Sequence, residues 1–137
     1  MNGTRLLLDS SFLIEYLTGS ATAVEFMDRA TANENLLAAS QITRIEVLSW
    51  PSLDEDIEAQ IKGFLQNIEI HPITEAVERH TIALRRNKKL KLPDAIIAAT
   101  ALSFNSVLVT SDAKLLKAEI DGLTALKPIA TEGEPPA

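Results

Sequence analysis

The apolar positions of the chain fall into short runs that alternate with longer segments of helical spacing. The short runs predict strands, and they lie at residues 6–8, 36–39, 68–70, 107–109 and 123–126. The longer segments predict helices at residues 11–18, 21–32, 43–49, 54–66, 75–87, 93–104 and 113–118. Alternation of this kind is typical of an α/β protein, so we expect a three-layer α/β/α sandwich with a mostly parallel central sheet.

Length and composition limit the classes of protein that fit. The 137 residues correspond to one domain, which we predict at 1–130, and the Glu/Pro/Gly-rich end at 131–137 predicts a disordered tail. The absence of cysteine excludes thiolate catalysis, cysteine-ligated zinc and disulfides. No apolar stretch has the length of a signal peptide or a membrane span, so we expect a cytoplasmic protein without membrane contact.

Two aspartates directly follow predicted strands. Asp9 comes after the run at 6–8, and Asp112 lies just past the run at 107–109. In parallel sheets the ligand site lies beyond the carboxyl ends of the strands, where the strand order reverses. A second interpretation stays open for both residues, because aspartate is also a preferred helix N-cap.

Two further acids lie on predicted helices that have apolar faces. Asp94 follows Pro93 at the start of a helix that is apolar on nearly every side, and a buried acid needs a partner. A terminal acid stabilised by the helix dipole is the alternative. Glu46 lies between Ile45 and Val47, but the leading interpretation of this residue alone, with Arg44 nearby, is a solvated surface glutamate.

Carboxylates that converge need a positive charge between them. A pair about 4 Å apart costs roughly 4 kcal/mol at an effective dielectric near 20. A hard divalent cation removes this repulsion, and all-oxygen sites suit Mg²⁺ or Mn²⁺. Because Mg²⁺ commonly binds substrate phosphate as well, the acids point to a phosphate-bearing substrate. The two histidines, His71 and His80, are interpreted as structural or exposed.

The net charge of −6 means that any nucleic acid must meet a local basic patch. Five of the 13 basic residues lie together shortly before Asp94, namely Arg85, Arg86, Lys88, Lys89 and Lys91. They are candidates for binding RNA phosphates, and Arg44 is another. The alternative for the cluster is a solvated helix end, where basic side chains interact well with the helix dipole.

Four segments together resemble a known family. They are Leu-Leu-Leu-Asp-Ser-Ser at 6–11, Thr-Arg-Ile-Glu-Val at 43–47, Leu-Pro-Asp-Ala-Ile-Ile-Ala-Ala-Thr-Ala at 92–101 and Val-Leu-Val-Thr-Ser-Asp at 107–112. They are similar to the PIN-domain ribonucleases, and most of all to the VapC-type toxins of toxin–antitoxin pairs. The resemblance covers nearly the whole chain before the tail, and its most specific piece is the Leu-Pro-Asp-Ala segment.

The resemblance implies a set of site residues and partners. The acidic set that binds one or two Mg²⁺ or Mn²⁺ ions would be Asp9, Glu46, Asp94 and Asp112. Ser10 and Thr110 match supporting hydroxyl residues of the family. The implied partners are an RNA substrate, a cognate antitoxin and a second copy in a homodimer. This chain departs from the family pattern at Lys114 and Leu115, where an Asp-Phe pair is common, so the geometry around Asp112 is the least constrained.

We therefore predict a metal-dependent endoribonuclease that hydrolyses RNA phosphodiester bonds, leaving a 5′-phosphate and a 3′-hydroxyl. Three alternatives stay open. A receiver-type phosphoacceptor domain needs an acidic pair after the first strand, and here Ser10 and Ser11 follow Asp9. A haloacid-dehalogenase-like phosphatase needs Asp-x-Asp, and Ser11 occupies the second place. The third is a catalytically silent binding module with the PIN fold.

Overall fold

The computed structural model describes residues 3–51 and 53–129. The predicted disordered tail at 131–137 lies outside the described residues, and the domain boundary at residue 130 stays a prediction. Among the described helices, none combines the length and the apolar character that crossing a bilayer requires.

The described strands form one five-stranded sheet in which every pairing is parallel. Its spatial order is β3-β2-β1-β4-β5, and its strands are β1 (Arg5–Leu8), β2 (Leu36–Ser40), β3 (Glu69–His71), β4 (Val107–Val109) and β5 (Ala125–Leu126). All the predicted strands are confirmed, with small changes of boundary. The last is shorter than predicted, because the backbone N–H of Leu123 donates to Ile120 O in a turn.

Seven helices connect and cover the described strands, as the apolar spacing predicts. They are α1 (Ser10–Leu17), α2 (Ala21–Ala32), α3 (Gln41–Leu48), α4 (Glu55–Gln66), α5 (Glu75–Lys88), α6 (Leu92–Ser103) and α7 (Ala113–Lys117). Asp9 caps α1 and Asp112 caps α7, each accepting a backbone N–H of the first turn. The capping interpretation is thus correct for both residues, and it is compatible with their place at the strand ends.

The sheet has a hydrophobic core on each face, which confirms the three-layer sandwich. Alternate side chains of a strand point to opposite faces. Leu6 and Leu8 of β1 pack with the first four helices, whereas Leu7 packs with α5, α6 and α7. The side chains that form both cores are almost fully excluded from solvent.

Helix α6 is the most deeply buried helix of the fold. Every residue from Ala95 to Ala101 is buried, which confirms the prediction from its uniformly apolar sequence. Four of these seven residues are alanines, so the helix can approach both the sheet and α5 closely. Burial of the following residues fixes the first turn of α6, where Asp94 lies.

The strand order reverses beside β1. Strands β1, β2 and β3 are added in one direction, after which the chain returns to place β4 against the other side of β1. A crevice at the carboxyl ends of β1 and β4 is the expected ligand site of such a sheet. Asp9 directly follows β1, and Thr110 directly follows β4.

Candidate functional site

Asp9 is a buried carboxylate held by three donors. Its side chain is almost entirely enclosed, with the residue 2% exposed. Asp9 Oδ1 accepts the backbone N–H of Phe12 at 2.9 Å and the hydroxyl of Ser11 at 2.8 Å. Asp9 Oδ2 accepts the hydroxyl of Thr110 across the β1–β4 crevice. These bonds fix the orientation of the carboxylate at the strand end.

Burial raises the pKa of Asp9 above its usual value, because the charged form loses hydration. The hydrogen bonds from Thr110, Phe12 and Ser11 act in the opposite direction and stabilise the carboxylate. The negative charge of Asp112 raises the pKa further. Asp9 is therefore a carboxylate whose ionisation is opposed by its surroundings and supported by its hydrogen bonds.

Asp94 lies within electrostatic reach of the other three predicted acids. Partial burial is the largest cause that raises its pKa, followed by the charges of Asp112, Asp9 and Glu46. Lys114 acts in the opposite direction and lowers this pKa. The tertiary structure thus brings together four acids that are separated by as many as 103 positions in the chain.

Glu46 is linked to the first turn of α1 by a hydrogen bond. The hydroxyl of Ser10 donates to Glu46 Oε1 at 2.5 Å and lies 3.4 Å from the hydroxyl of buried Thr43. Because Glu46 accepts this bond, it is not the purely solvated residue of the alternative interpretation. Ser10 therefore orients the glutamate towards the same end of the sheet as Asp9.

Asp112 and Thr110 form the β4 side of the site. Thr110 is fully buried, donates its hydroxyl proton to Asp9 and accepts the backbone N–H of Asp112 at 2.9 Å. Asp112 Oδ1 accepts the backbone N–H of Lys114 at 2.8 Å. One threonine hydroxyl thus connects the two strand ends that carry acids.

The donor set fits a hard divalent cation in its chemistry. All four acids offer carboxylate oxygens, and mutual repulsion and burial raise the pKa of both Asp9 and Asp94. Within residues 3–51 and 53–129, however, no group of three or more acidic or histidine side chains already has an arrangement that could hold a metal ion. Several carboxylate oxygens instead accept protein hydrogen bonds, so the ligand set is present but not preassembled.

The predicted basic cluster lies beside the helix that carries Asp94. All five of its residues are exposed. Lys89 ends α5 in the left-handed conformation, and Lys91 occupies the N-cap of α6. Arg44 is exposed on α3, the helix that carries Glu46. Arg44 and Glu46 thus share one helix, whereas the cluster lies at the end of α5 and in the connection that leads into α6.

Two residues of the site have no clear signal in the sequence. The hydroxyl of Ser11 touches Asp9, yet nothing distinguishes this residue from an ordinary serine in the first turn of a helix. Lys114 stands out in the sequence only as a departure from the family pattern, although its charge acts on Asp94. In both cases the role of the residue depends on its proximity to an acid of the site, which only the folded chain shows.

The two histidines lie outside this constellation. His71 is buried and stacks on Phe104 with ring centroids 3.9 Å apart and planes 2° from parallel. His80 is exposed on α5. This confirms the prediction that the two histidines are structural or exposed: His71 is structural, and His80 is exposed.

Comparison with known proteins identifies the family. The sequence model of the PIN domain matches residues 6–120. The chain belongs to the PIN domain family. This membership and the observed strand order exclude the receiver alternative, since receiver domains have the order 2-1-3-4-5. The matched range includes all four acids of the site.

Several solved structures share this PIN fold. A toxin–antitoxin complex from Klebsiella pneumoniae contains a chain with 31% sequence identity and a TM-score of 0.76, and the match covers 90% of this chain and 98% of that chain. VapBC2 from Rickettsia felis, bound to a DNA fragment from its promoter, gives 20% identity and a TM-score of 0.78 over the same shares. VapBC-1 from nontypeable Haemophilus influenzae gives 20% identity and 0.77, again over 90% and 98%. No curated protein sequence matches the chain.

Proposed function

We propose that this PIN domain is a metal-dependent endoribonuclease and the toxin of a toxin–antitoxin pair. The observation that carries the nuclease proposal is the placement of three acids within electrostatic reach of Asp94, at the switch point of a parallel sheet. Asp94 feels the charges of Asp112, Asp9 and Glu46 at once. Such a cluster is suited to binding a hard cation together with a phosphate group.

Asp9 and Asp94 would hold the ion, with Glu46 and Asp112 contributing directly or through water. Mg²⁺ and Mn²⁺ both suit these ligands. When bound, such an ion activates a water molecule for attack on phosphorus and stabilises the charge of the phosphate oxygens. Whether one or two ions bind stays open, and Lys114 supplies a positive charge near Asp94 in either case.

The hydroxyl groups around the acids hold them in place. Thr110 and Ser11 donate to Asp9, which opposes the effect of burial on its pKa. Ser10 donates to Glu46 and so holds it in one orientation. These residues do no chemistry on the RNA, but they fix the orientation in which the acids would meet the cation.

The RNA would reach the acids along the basic cluster. Arg85, Arg86, Lys88, Lys89 and Lys91 are exposed and, within the described residues, none forms an ion pair with an acidic side chain at 4 Å or less. They are thus free to bind phosphates. Lys91 directly precedes the helix that carries Asp94, so a phosphate bound there lies near the site. Arg44 offers a second phosphate-binding group beside Glu46.

The decisive experiment is cleavage of a defined RNA by the purified protein with Mg²⁺ or Mn²⁺. We expect the wild type to cut and EDTA to abolish cutting. Asp9→Asn and Asp94→Asn should each lower the rate by at least about 100-fold, since removal of a charged group that stabilises the transition state costs roughly 3 kcal/mol. The matched control is Asp28→Asn, which removes an exposed acid of α2 and should cleave at the wild-type rate.

Three outcomes would contradict the nuclease proposal. Cleavage that survives EDTA would show that the reaction needs no metal ion. Full activity of Asp9→Asn or Asp94→Asn would show that cleavage does not require the substituted residue. Absence of cleavage on all RNAs tested, with RNA still bound, would leave the silent binding module as the correct function.

The toxin proposal rests on the relative from Klebsiella pneumoniae, which is a toxin–antitoxin complex and 31% identical to this chain. Expression of this chain alone should arrest bacterial growth. Asp94→Asn should relieve the arrest, because the proposed toxicity requires RNA cleavage. Co-expression of the cognate antitoxin should relieve it as well, and the antitoxin should co-purify with the wild type. Equal toxicity of the wild type and Asp94→Asn, at equal protein levels, would contradict the proposal.

A further inference from the structure

The hydroxyl of Ser11 lies between the two loops that carry acids at the strand ends. It donates its proton to Asp9 Oδ1 at 2.8 Å. It also accepts the backbone N–H of Ser111 at 3.1 Å and lies 3.5 Å from the hydroxyl of Thr110. A serine hydroxyl has one proton to donate and two lone pairs to accept, so Ser11 can donate to Asp9 and accept from Ser111 at the same time. Thr110 donates its own proton to Asp9, so the Ser11–Thr110 approach is a contact between two hydroxyl oxygens.

These interactions join segments that are 100 positions apart in the chain. Ser11 belongs to the first turn of α1, close behind Asp9, whereas Ser111 lies between Thr110 and Asp112 in the β4–α7 connection. The hydroxyl therefore fastens the connection that carries Asp112 to the carboxylate of Asp9. Thr110 forms a parallel link to the other oxygen of Asp9.

We propose that Ser11 is a positioning residue that sets the placement of Asp9 relative to Asp112 and thereby the affinity of the site for a divalent cation. This inference rests on the proposed function. Without the hydroxyl, Asp9 Oδ1 keeps only the backbone donor of Phe12, and the N–H of Ser111 is left without its side-chain acceptor. Both changes loosen the two acids relative to each other.

Removal of hydrogen bonds to metal ligands commonly lowers metal affinity by roughly 10–100-fold. We expect Ser11→Ala to weaken Mn²⁺ binding by about tenfold, measured by isothermal titration calorimetry on the full chain. In cleavage assays the half-saturating Mn²⁺ concentration should rise by a similar factor, with a smaller change of kcat at saturating Mn²⁺. Ser11→Thr keeps a hydroxyl and should restore binding to within about twofold of the wild type.

The control must separate metal affinity from simple loss of stability. Ser20→Ala is a matched control. Like Ser11, Ser20 accepts a backbone N–H with its hydroxyl, but the donor is Ala23 and the bond lies at the start of α2. It should lower the melting temperature without changing the Mn²⁺ affinity. If Ser11→Ala does not fold, Ser11→Cys retains a side chain of similar size with a weaker donor, and it should then show the loss of affinity.

The outcomes distinguish this inference from the proposed function. Mn²⁺ binding by the wild type together with unchanged affinity in Ser11→Ala, or in Ser11→Cys where alanine does not fold, would overturn the role of Ser11 alone. An equal loss of affinity in Ser20→Ala would also overturn it, since the effect would then follow stability. Absence of Mn²⁺ binding by the wild type would overturn the proposed metal site and this inference with it.

Discussion

Asp9 and Asp94 have raised pKa values for partly different reasons, and the difference matters for how each responds to a cation. Asp9 is the more deeply buried, but three hydrogen-bond donors offset the cost of its charge. For Asp94, partial burial is the largest cause that raises the pKa, the charges of three neighbouring acids raise it further, and the charge of Lys114 lowers it. A bound cation should therefore favour the charged form of Asp94 more than that of Asp9.

At the residue scale we predict that Asp94→Asn stabilises the metal-free protein. The folded state raises the pKa of Asp94, so its charge at pH 7 works against folding. Because Asp94 is partly exposed, the gain in the free energy of unfolding should not exceed about 1 kcal/mol, the usual limit for charge interactions near a protein surface, and it should raise the melting temperature in EDTA by a few degrees at most. Scanning calorimetry at pH 7 measures this difference directly.

Addition of Mn²⁺ should reverse that ranking. Ligand binding to the folded state stabilises it, by about 2.7 kcal/mol when the ligand concentration is roughly 100 times the Kd. The wild type should therefore gain several degrees on Mn²⁺ addition, whereas Asp94→Asn should gain little. Asp28→Asn is the control and should follow the wild type. An equal Mn²⁺ response in wild type and Asp94→Asn would remove Asp94 from the ligand set.

At the element scale, the position of α6 depends on packing at both of its ends. Its first turn carries Asp94, and its alanines allow close packing on the sheet and α5. Its C-cap residue, Phe104, stacks on His71 at the end of the edge strand β3. This stack ties the helix that bears Asp94 to the margin of the sheet.

The same stack predicts a pH dependence of stability. Burial lowers the pKa of His71, and nearby Arg5 adds to this effect, while Glu69 opposes it. The unfolded chain therefore takes up a proton near pH 6.5, before the folded protein does. The contribution of His71 to stability is complete above about pH 6.5 and diminishes as the pH falls below it, towards the lowered folded-state pKa.

Urea unfolding at about pH 7.5 and pH 5.5, on either side of the ordinary histidine pKa, checks this expectation. His71→Phe preserves an aromatic ring against Phe104 but removes the titrating group, so the variant should lose less stability than the wild type between these pH values. The loss of unfolding free energy between the two pH values should be greater in the wild type than in His71→Phe by about 1 kcal/mol. This is close to the free energy that one titrating proton contributes over one pH unit. His80→Gln removes the exposed histidine and should retain the wild-type dependence. Identical pH dependence of wild type and His71→Phe would refute the assignment.

At the scale of the whole molecule, a chain of net charge −6 must bind a polyanion through one part of its surface. The five exposed cations at the end of α5 and the N-cap of α6 concentrate positive charge in the segment that leads to Asp94. RNA binding should therefore depend strongly on salt and on these few residues. The homodimer implied by the family resemblance stays a prediction.

We predict that Lys89→Glu combined with Lys91→Glu weakens RNA binding and flattens its salt dependence. For a single-stranded RNA, removal of each cation that binds a phosphate should lower the slope of log K against log salt by about 0.7. Fluorescence anisotropy at several salt concentrations measures both quantities, with Asp94→Asn present in every protein to prevent cleavage. Lys62→Glu with Arg79→Glu makes the same change of net charge elsewhere and should have a smaller effect. Equal effects of the two pairs would indicate that net charge alone matters.

The sequence by itself determined the elements, because hydrophobic periodicity is a local property that depends on which faces become buried. The uniformly apolar segment of α6 predicted its burial, and Asp9 and Asp112 were predictable at strand ends from the runs directly before them. The order of the four acids within recognisable segments also led to the PIN family. None of these inferences requires knowledge of which distant segments touch.

Only the tertiary structure decided which residues meet. The strand order places β4 beside β1, and this puts Thr110 on Asp9 and Ser111 on Ser11, interactions that no local pattern encodes. Ser11 has the same sequence features as any serine close behind a capping aspartate, so its role depends on a neighbour 100 positions away. The physical reason is that periodicity records burial, whereas proximity at the site follows from the order in which the strands pack.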